Sequence, residues 1–197
     1  MSLHLYLGPM WSGKTSRLIG EYQRWTCIGK PSLVINHMID SRYGNDDYLY
    51  THDKIKIPCV LVDKLDDVPI DRIHESEAVF INEGQFFIGL KSTILHWVED
   101  LGKHVYIVGL DGDRNREKFG ELLDLIPYAD YYEKLRAKCK ICLDGTNALF
   151  THDQEQSDGT IINNESEQIK VGSEQYLPLC RHHYLTSREK TVNDNDS

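Results

Sequence analysis

Residues 8–15, GPMWSGKT, constrain the fold more than any other segment, because they fit the spacing G-x-x-x-x-G-K-[ST]. They follow the apolar run LHLYL and precede apolar residues at helical spacing, so the sequence predicts a strand, a glycine loop and a helix. Such a loop turns backbone N–H groups toward phosphate oxygens. We expect Lys14 to neutralise the β- and γ-phosphates of ATP and Thr15 to ligate Mg²⁺. The predicted nucleotide-binding residues of the loop are Gly8, Pro9, Met10, Trp11, Ser12, Gly13, Lys14 and Thr15. A plain strand-to-helix turn would explain the glycines but not the Lys-Thr pair.

Short apolar runs rich in β-branched and aromatic residues recur after this loop. They are SLVIN (32–36), IPCVLV (57–62), AVFI (78–81) and HVYIVGL (104–110). The segment LKSTILHWVEDLG keeps helical spacing and ends at Gly102, and a second short helix is expected at 117–125, with Pro127 marking a boundary. Strands that alternate with helices predict an α/β fold with a parallel sheet flanked by helices.

The character of the chain changes near Cys139, where the alternation stops and a long polar stretch begins. We predict a nucleotide-binding domain at 1–136, a small loop-rich domain at 137–190 and a disordered tail at 191–197. The pairs Cys139/Cys142 and Cys180/His183 are separated by 37 residues, and each offers two ligands at x₂ spacing. Four protein ligands indicate a structural, tetrahedral Zn²⁺ site. His182 is a rival ligand, and unrelated thiols on a loop are the alternative.

Composition and charge exclude some classes of function. Acidic residues outnumber basic ones 31 to 22, the net charge is −9, and no run of Lys or Arg forms a basic patch. Nucleic acid is therefore not expected as a partner. The N-terminal segment lacks signal-peptide character, and no apolar stretch approaches the roughly 18 residues of a membrane span. We expect a cytoplasmic protein with free thiols and no membrane partner.

A second group of polar residues follows the run AVFI, at the predicted carboxyl end of a strand. Here Glu83 is the expected general base, because a carboxylate can take the proton of a substrate hydroxyl during phosphoryl transfer. Its neighbours Asn82, Gly84 and Gln85 are predicted to lie at the nucleotide, and Phe86 could form a wall of a base pocket. The alternative is an ordinary turn followed by core aromatic residues.

Together these motifs resemble the zinc-containing thymidine kinases. GPMWSGKT resembles the family's GPMFSGKT, NEGQFF its DEGQFF, GLDGDRNREKFG its substrate segment, and VGSEQYLPLCRHH its lasso and second zinc half-site. The resemblance implies a RecA-like domain with a small zinc-held lasso domain, assembled as a homotetramer. It also implies transfer of the γ-phosphate of ATP to the 5′-hydroxyl of thymidine.

The resemblance further implies roles for residues whose pattern alone favours a turn or an ordinary strand. Asp40 and Arg42, in IDSRY, are implied partners of Mg²⁺ and the phosphates. The lasso backbone is implied to hold the substrate base, with Tyr176 near the sugar or base. The lasso residues concerned are Ile169, Lys170, Val171 and Gly172.

Two residues depart from the family pattern. Asn82 stands where the family has aspartate, which removes a negative charge near Mg²⁺. Arg114 stands where the family has a phenylalanine that stacks on thymine, while Phe119 remains an available apolar wall. These departures leave open a catalytically weakened nucleotide-binding regulator, or a kinase with altered nucleoside specificity. A third reading is a P-loop NTPase that hydrolyses ATP to drive a partner, including motors on DNA, and the acidic balance argues against DNA as that partner.

Overall fold

The computed structural model describes residues 1–40, 47–51, 55–153 and 176–193, with side chains described as far as residue 187. Its strands are β1 (Ser2–Leu7), β2 (Ser32–His37), β3 (Tyr48–Tyr50), β4 (Lys56–Pro58), β5 (Val60–Val62), β6 (Ala78–Ile81), β7 (His104–Gly109), β8 (Tyr131–Lys134), β9 (Ala137–Lys138), β10 (Asn147–Ala148), β11 (Phe150–Asp153) and β12 (Tyr176–Leu179). Its helices are α1 (Lys14–Cys27), α2 (Ile70–Glu75), α3 (Leu90–Leu95) and α4 (Arg181–Asn193). Shorter 3₁₀ turns cover Leu65–Asp67, Gly84–Phe86 and Leu122–Tyr128, and a π-helical turn, His96–Asp100, continues α3.

A six-stranded sheet in the order β5-β2-β6-β7-β1-β8 forms the centre of the molecule. Each neighbouring pair in this sheet runs parallel, which confirms the predicted parallel α/β fold. Because the strands are parallel, all their carboxyl ends lie along one edge of the sheet. The loops that follow β1, β2, β6 and β7 therefore meet there, where α/β proteins bind their ligands.

The prediction of one strand over residues 57–62 was wrong. The run is divided at Cys59, so that β4 pairs antiparallel with β3 while β5 joins the main sheet beside β2. Pro58 has no N–H to donate, and the N–H of Cys59 donates to Asp47 O at 2.9 Å, away from the main sheet. The edge strand β8 was not predicted, because Tyr131 and Tyr132 are exposed and give no buried apolar pattern.

The helix predicted at 117–125 was also misplaced. The structure has a 3₁₀ turn at Leu122–Tyr128 instead, with Pro127 inside it. Gly120 adopts φ 60°, a left-handed conformation that a continuous right-handed helix does not permit. The helix that ends near Gly102 was placed correctly, and Gly102 itself is left-handed at φ 68°.

Two apolar cores cover the two faces of the sheet. Leu3, Leu5 and Leu7 of β1 pack in the core that contains α2 and α3, whereas Tyr6 packs with Leu18 of α1 on the other face. Successive side chains thus alternate between the two faces, as expected for a strand that is buried on both sides. Among the described helices, none combines the length and the apolar character that a membrane span requires.

A third and smaller core lies in the C-terminal part of the chain. It is formed by Ala137, Cys139, Ala148, Leu179, Cys180 and Tyr184, between the hairpin-like pairs β9–β10 and β11–β12 and the start of α4. We call the described residues 137–153 and 176–187 the metal lobe. Helix α4 reaches Asn193, three residues into the segment 191–197 that the sequence indicates as a disordered tail. Residues 194–197 lie outside the described chain.

Candidate active site and metal centre

The glycine loop joins β1 to α1 at the carboxyl edge of the sheet. The N–H of Gly8 donates to Gly109 O at 3.3 Å, and a Cβ at Gly8 would lie 2.7 Å from Leu135 O. Gly13 is left-handed at φ 80° directly before α1. The side chain of Lys14 is buried, and its Nζ donates to Pro9 O at 2.7 Å. The loop therefore curls around its own lysine, as a phosphate-binding loop requires.

The serine of this loop supplies a test of whether a phosphate fits. Ser12 Oγ is buried and has no hydrogen-bond partner within the described part of the chain. A buried hydroxyl without a partner costs free energy, so native proteins keep such groups where a ligand satisfies them. Trp11, just before it, has a left-handed φ of 64° and an exposed indole. The loop is thus shaped to accept an oxygen-rich ligand.

A network of polar side chains lies between the loop and strands β2 and β6. Thr15 Oγ1 lies 3.4 Å from Asn82 Oδ1, and Asn82 Nδ2 donates to Asn36 Oδ1 at 2.9 Å and to Asp40 Oδ2 at 3.3 Å. Asn36 Nδ2 also donates to Asp40 Oδ2, at 3.3 Å. Thr15 and Asp40, for which the sequence analysis gives a role at Mg²⁺, and Asn82, predicted to lie at the nucleotide, are therefore brought together. Arg42 lies outside the described residues.

Asn36 is a member of this network that sequence reasoning missed. It is the first polar residue after the buried run of β2 and is only 2% exposed. Its position after the buried run is visible in the sequence, but its contact with Asn82 follows from the sheet, in which β2 and β6 are parallel neighbours and Ile35 pairs with Ile81. Without the sheet order, that adjacency could not be inferred.

Glu83 follows β6 in a left-handed conformation, with φ 54° and ψ 44°. This conformation costs a residue with a Cβ about 1 kcal/mol and is typically retained at functional sites. Gln85 Nε2 donates to Glu83 Oε2 at 2.7 Å, while Gln85 Oε1 accepts from Leu110 N at 3.0 Å. Gly84 packs so closely that a Cβ there would lie 2.6 Å from Ile107 Cγ2. The carboxylate is thus held at one oxygen by a buried amide anchored to the next strand.

Aromatic residues lie next to this turn. Phe86 and Phe119 meet edge to face, with ring centroids 5.3 Å apart. His37, at the end of β2, contacts Phe86 at 5.5 Å and Phe87 at 4.8 Å. Burial lowers the pKa of His37 below its usual value, although Asp63 opposes this, so the neutral ring is favoured beside the apolar wall.

The segment that carries Arg114 is attached to the metal lobe. Arg114 Nη1 lies 3.4 Å from Oδ2 of Asp153, which is 2% exposed, and the backbone oxygen of Arg114 accepts from Tyr184 Oη at 2.6 Å. Tyr176 is the register partner of Asp153 in the β11–β12 pair. The lobe also reaches the glycine loop, because Met10 N donates to Thr151 Oγ1 at 3.0 Å. Residues 169–172 lie outside the described chain.

Four side chains of the metal lobe converge. The ligand atoms of Cys139, Cys142, Cys180 and His183 all lie within 4.8 Å of one another. His183 Nδ1 is 3.6, 3.3 and 3.4 Å from the three sulfurs in chain order, and Cys142 Sγ is 3.8 Å from Cys180 Sγ. Ligands around one tetrahedral Zn²⁺ would be spaced by about 3.8 Å for two sulfurs and about 3.6 Å for sulfur and nitrogen. The cluster could therefore hold this ion, and His183 rather than the exposed His182 belongs to it.

The surroundings of the cluster favour a thiolate. Burial opposes the ionisation of Cys139, but backbone hydrogen bonds from Cys180, Cys142 and Ile141 and the side chain of His183 outweigh it and lower the pKa of this thiol. Burial and the two neighbouring cysteines raise the pKa of Cys142 instead. Since the thiolate is the form that binds metal, a cation at this position would remove the remaining proton.

Comparisons with known proteins agree with these features. A family model described as thymidine kinase matches residues 1–184. Thymidine kinase a of Arabidopsis thaliana is 33% identical, over 99% of this chain and 82% of the relative. The thymidine kinase of Yaba monkey tumor virus is 34% identical, over 91% and 92%. That of Choristoneura fumiferana entomopoxvirus is 32% identical, over 98% and 100%. Because the family match covers nearly the whole chain, the protein belongs to the thymidine kinase family.

Proposed function

We propose that this protein is an ATP-dependent thymidine kinase that produces the 5′-monophosphate of its nucleoside. The observation that carries the proposal is the position of Glu83. Its neighbour Asn82 contacts Thr15 of the glycine loop, while its own carboxylate is held by Gln85. These contacts support a base beside a phosphate-binding loop, which is the arrangement that phosphoryl transfer to a hydroxyl needs.

The glycine loop binds the phosphates of ATP. Its backbone N–H groups, the hydroxyl of Ser12 and the ammonium of Lys14 meet the phosphate oxygens, and the N-terminus of α1 adds a positive dipole. Thr15, Asp40 and Asn82 would hold Mg²⁺, with Arg42 as a further phosphate partner. When bound, Mg²⁺ neutralises negative charge on the phosphates.

Glu83 removes the proton from the 5′-hydroxyl. As that oxygen forms its bond to the γ-phosphorus, the bond from phosphorus to the β–γ bridging oxygen breaks, ADP leaves with the electron pair, and the proton passes to the carboxylate. Gln85 Nε2 donates to one oxygen of this carboxylate and so orients it. This anchoring lowers the freedom of the base before the reaction, which is how positioning accelerates transfer.

The substrate base is expected between Phe86, Phe119 and Arg114, with Tyr176 and the backbone of residues 169–172 completing the pocket. The ion pair of Arg114 with Asp153 supports a second candidate, a kinase with altered nucleoside specificity. A guanidinium engaged by a buried carboxylate has less freedom to stack on a thymine ring than a phenylalanine has. The reaction class is the same for both candidates.

The metal lobe is proposed to contain a structural Zn²⁺. Its four protein ligands leave no open position for a substrate, and its own apolar core is too small to fold unaided. The lobe contacts the glycine loop through Thr151 and the Arg114 segment through Asp153 and Tyr184. Zinc would therefore stabilise two walls of the active site. The homotetramer and cytoplasmic location implied by the sequence stay predictions.

The proposal is tested by ATP consumption with Mg²⁺ and, separately, thymidine, deoxycytidine, deoxyadenosine, deoxyguanosine or single-stranded DNA, with products identified by mass spectrometry. Stimulation by thymidine together with its monophosphate supports the thymidine kinase. Preference for another nucleoside supports altered specificity. Stimulation by DNA without a phosphorylated nucleoside, or binding of ATP with no turnover at all, would contradict the proposal.

A further inference from the structure

We propose that Asn36 is a positioning residue of the cation site, which orients Asp40 and Asn82 so that the carboxylate of Asp40 faces the cation although position 82 carries no negative charge. This inference rests on the proposed role of the glycine loop in binding Mg²⁺ and ATP. It adds a residue that the sequence motifs do not contain. Asn36 and Asn82 are 2% and 1% exposed, so neither amide relies on solvent for its hydrogen bonds.

The orientation of both amides follows from the chemistry of Asp40. An ionised carboxylate only accepts hydrogen bonds, so each amide must present its nitrogen to it. Asn36 Nδ2 and Asn82 Nδ2 both lie 3.3 Å from Asp40 Oδ2. Asn82 Nδ2 also donates to Asn36 Oδ1 at 2.9 Å, which uses its second N–H. The three side chains form a closed ring of contacts with one consistent assignment of nitrogen and oxygen.

This assignment determines what Thr15 meets. With its nitrogen engaged by Asn36 and Asp40, Asn82 presents Oδ1 to Thr15, whose hydroxyl lies 3.4 Å away. A threonine hydroxyl that donates its proton keeps a lone pair for a cation. If the amide of Asn82 turned over, its N–H groups would face Thr15 and compete with that cation. Asn36 therefore keeps the acceptor on the correct side.

Asn36 has a second effect through charge. Its N–H donates to the carboxylate of Asp40 and holds it in position. This contact is strong, because hydrogen bonds to charged groups are stronger than those between neutral groups. A side chain at position 36 without an amide would lose both the donor to Asp40 and the acceptor for Asn82. The phosphate contacts of Lys14 and Ser12 would not change, because neither residue belongs to the ring.

The test uses Asn36→Leu, which keeps the branching at Cγ and removes both hydrogen-bonding atoms. Binding of ATP to the full-length protein is measured by calorimetry in EDTA and across a Mg²⁺ titration. We expect the Mg²⁺ concentration that gives half-maximal enhancement of ATP binding to rise about tenfold. This is the effect expected from the loss of one hydrogen bond to a charged group. Affinity for ATP in EDTA should stay within about twofold.

Asn36→Thr provides a second variant if the leucine variant does not fold, since a β-branched residue suits strand β2 and its hydroxyl keeps one polar group at this position. It should shift the Mg²⁺ requirement in the same direction by about threefold, because one hydroxyl cannot replace both amide contacts. Asn147→Leu, at an exposed position of β10, is the matched control and should change neither quantity. An unchanged Mg²⁺ requirement in a folded variant would overturn the inference, and so would equal loss of ATP binding with and without the metal. Since no nucleoside is present, failure of the thymidine kinase proposal would be recognised separately.

Discussion

Gly109→Ala tests how the structure holds the proposed base. Gly109 is the last residue of β7, and a Cβ added there would overlap Gln85 Oε1 and lie 2.5 Å from Leu122 Cδ2. Gln85 cannot move aside without cost, because its two ends bind Leu110 N and Glu83 Oε2. The substitution should therefore displace the amide and release Glu83.

The expected size follows from these contacts. Overpacking of a buried site costs about 1–3 kcal/mol of unfolding free energy. Loss of a hydrogen bond to a charged group costs about 1.5–3 kcal/mol, which corresponds to a fall in kcat of about 10- to 100-fold if the contact positions the base. The affinity for MgATP should change little, since the hydrogen bonds of the Gln85 side chain go to Glu83 and Leu110 rather than to the glycine loop.

The assay compares kcat, MgATP affinity and thermal unfolding for Gly109→Ala and Gly20→Ala. Gly20 lies in α1, where an added Cβ would meet nothing within 4 Å. Alanine should therefore stabilise this helix by about 0.5–1 kcal/mol and leave kcat unchanged. A folded Gly109→Ala enzyme with wild-type kcat would refute the positioning role of Gln85.

Three further predictions concern other parts of the molecule. His183→Ala should lose most of the bound zinc and lower the unfolding midpoint, whereas His182→Ala should keep both, as metal analysis and calorimetry would report. Arg114→Phe should raise the preference for thymidine over deoxycytidine about tenfold, because an aromatic ring stacks on the base. The same substitution should lower the free energy of unfolding by about 1–2 kcal/mol, because buried Asp153 loses an ion pair. Burial lowers the pKa of His4 from 6.5. As the pH decreases, the unfolded chain therefore binds a proton at this histidine before the folded chain does, and the free energy of unfolding falls below about pH 6.5. His4→Gln should make this decrease shallower in thermal scans from pH 7.5 to 5.5.

Each of these predictions has a contrary result. Equal zinc loss in both histidine variants would mean that the cluster is assembled differently. Unchanged nucleoside preference in Arg114→Phe would place this residue outside the base pocket. If the unfolding midpoint fell with pH equally steeply in His4→Gln and in the wild type, the acid sensitivity would belong to His37 and His104. Burial lowers the pKa values of these two histidines as well.

The sequence predicted the features that depend on local spacing. The strand, glycine loop and helix at the N-terminus require only the order of neighbouring residues, and the structure has β1 and α1 on either side of that loop. The two half-sites of the metal cluster were recognisable for the same reason, since each half contains its ligands within four residues. The structure brings the halves together where Lys140 N donates to Pro178 O of β12 at 3.1 Å.

Features that depend on long-range pairing were not predicted. Asn36 and Asn82 are 46 residues apart and meet only because β2 and β6 are neighbours in the sheet. Arg114 and Asp153 are 39 residues apart, one in the segment after β7 and the other in β11. The division of residues 57–62 at Cys59 depends on its contact with Asp47 rather than on its own apolar pattern. The periodicity of apolar residues indicates that a segment is buried, but it does not identify the strand or helix against which the segment packs.

The most direct test of the central claim is single-turnover transfer of the labelled γ-phosphate from ATP to thymidine by wild-type protein and by Glu83→Gln. The amide keeps the size and the left-handed turn of Glu83 but cannot accept the proton. The account predicts 5′-monophosphate formation by the wild type, a loss of about 10²–10⁴-fold in the variant, and unchanged MgATP affinity. Equal transfer by both proteins would contradict the role of Glu83, and no transfer to any nucleoside by wild-type protein that binds MgATP would contradict the kinase itself.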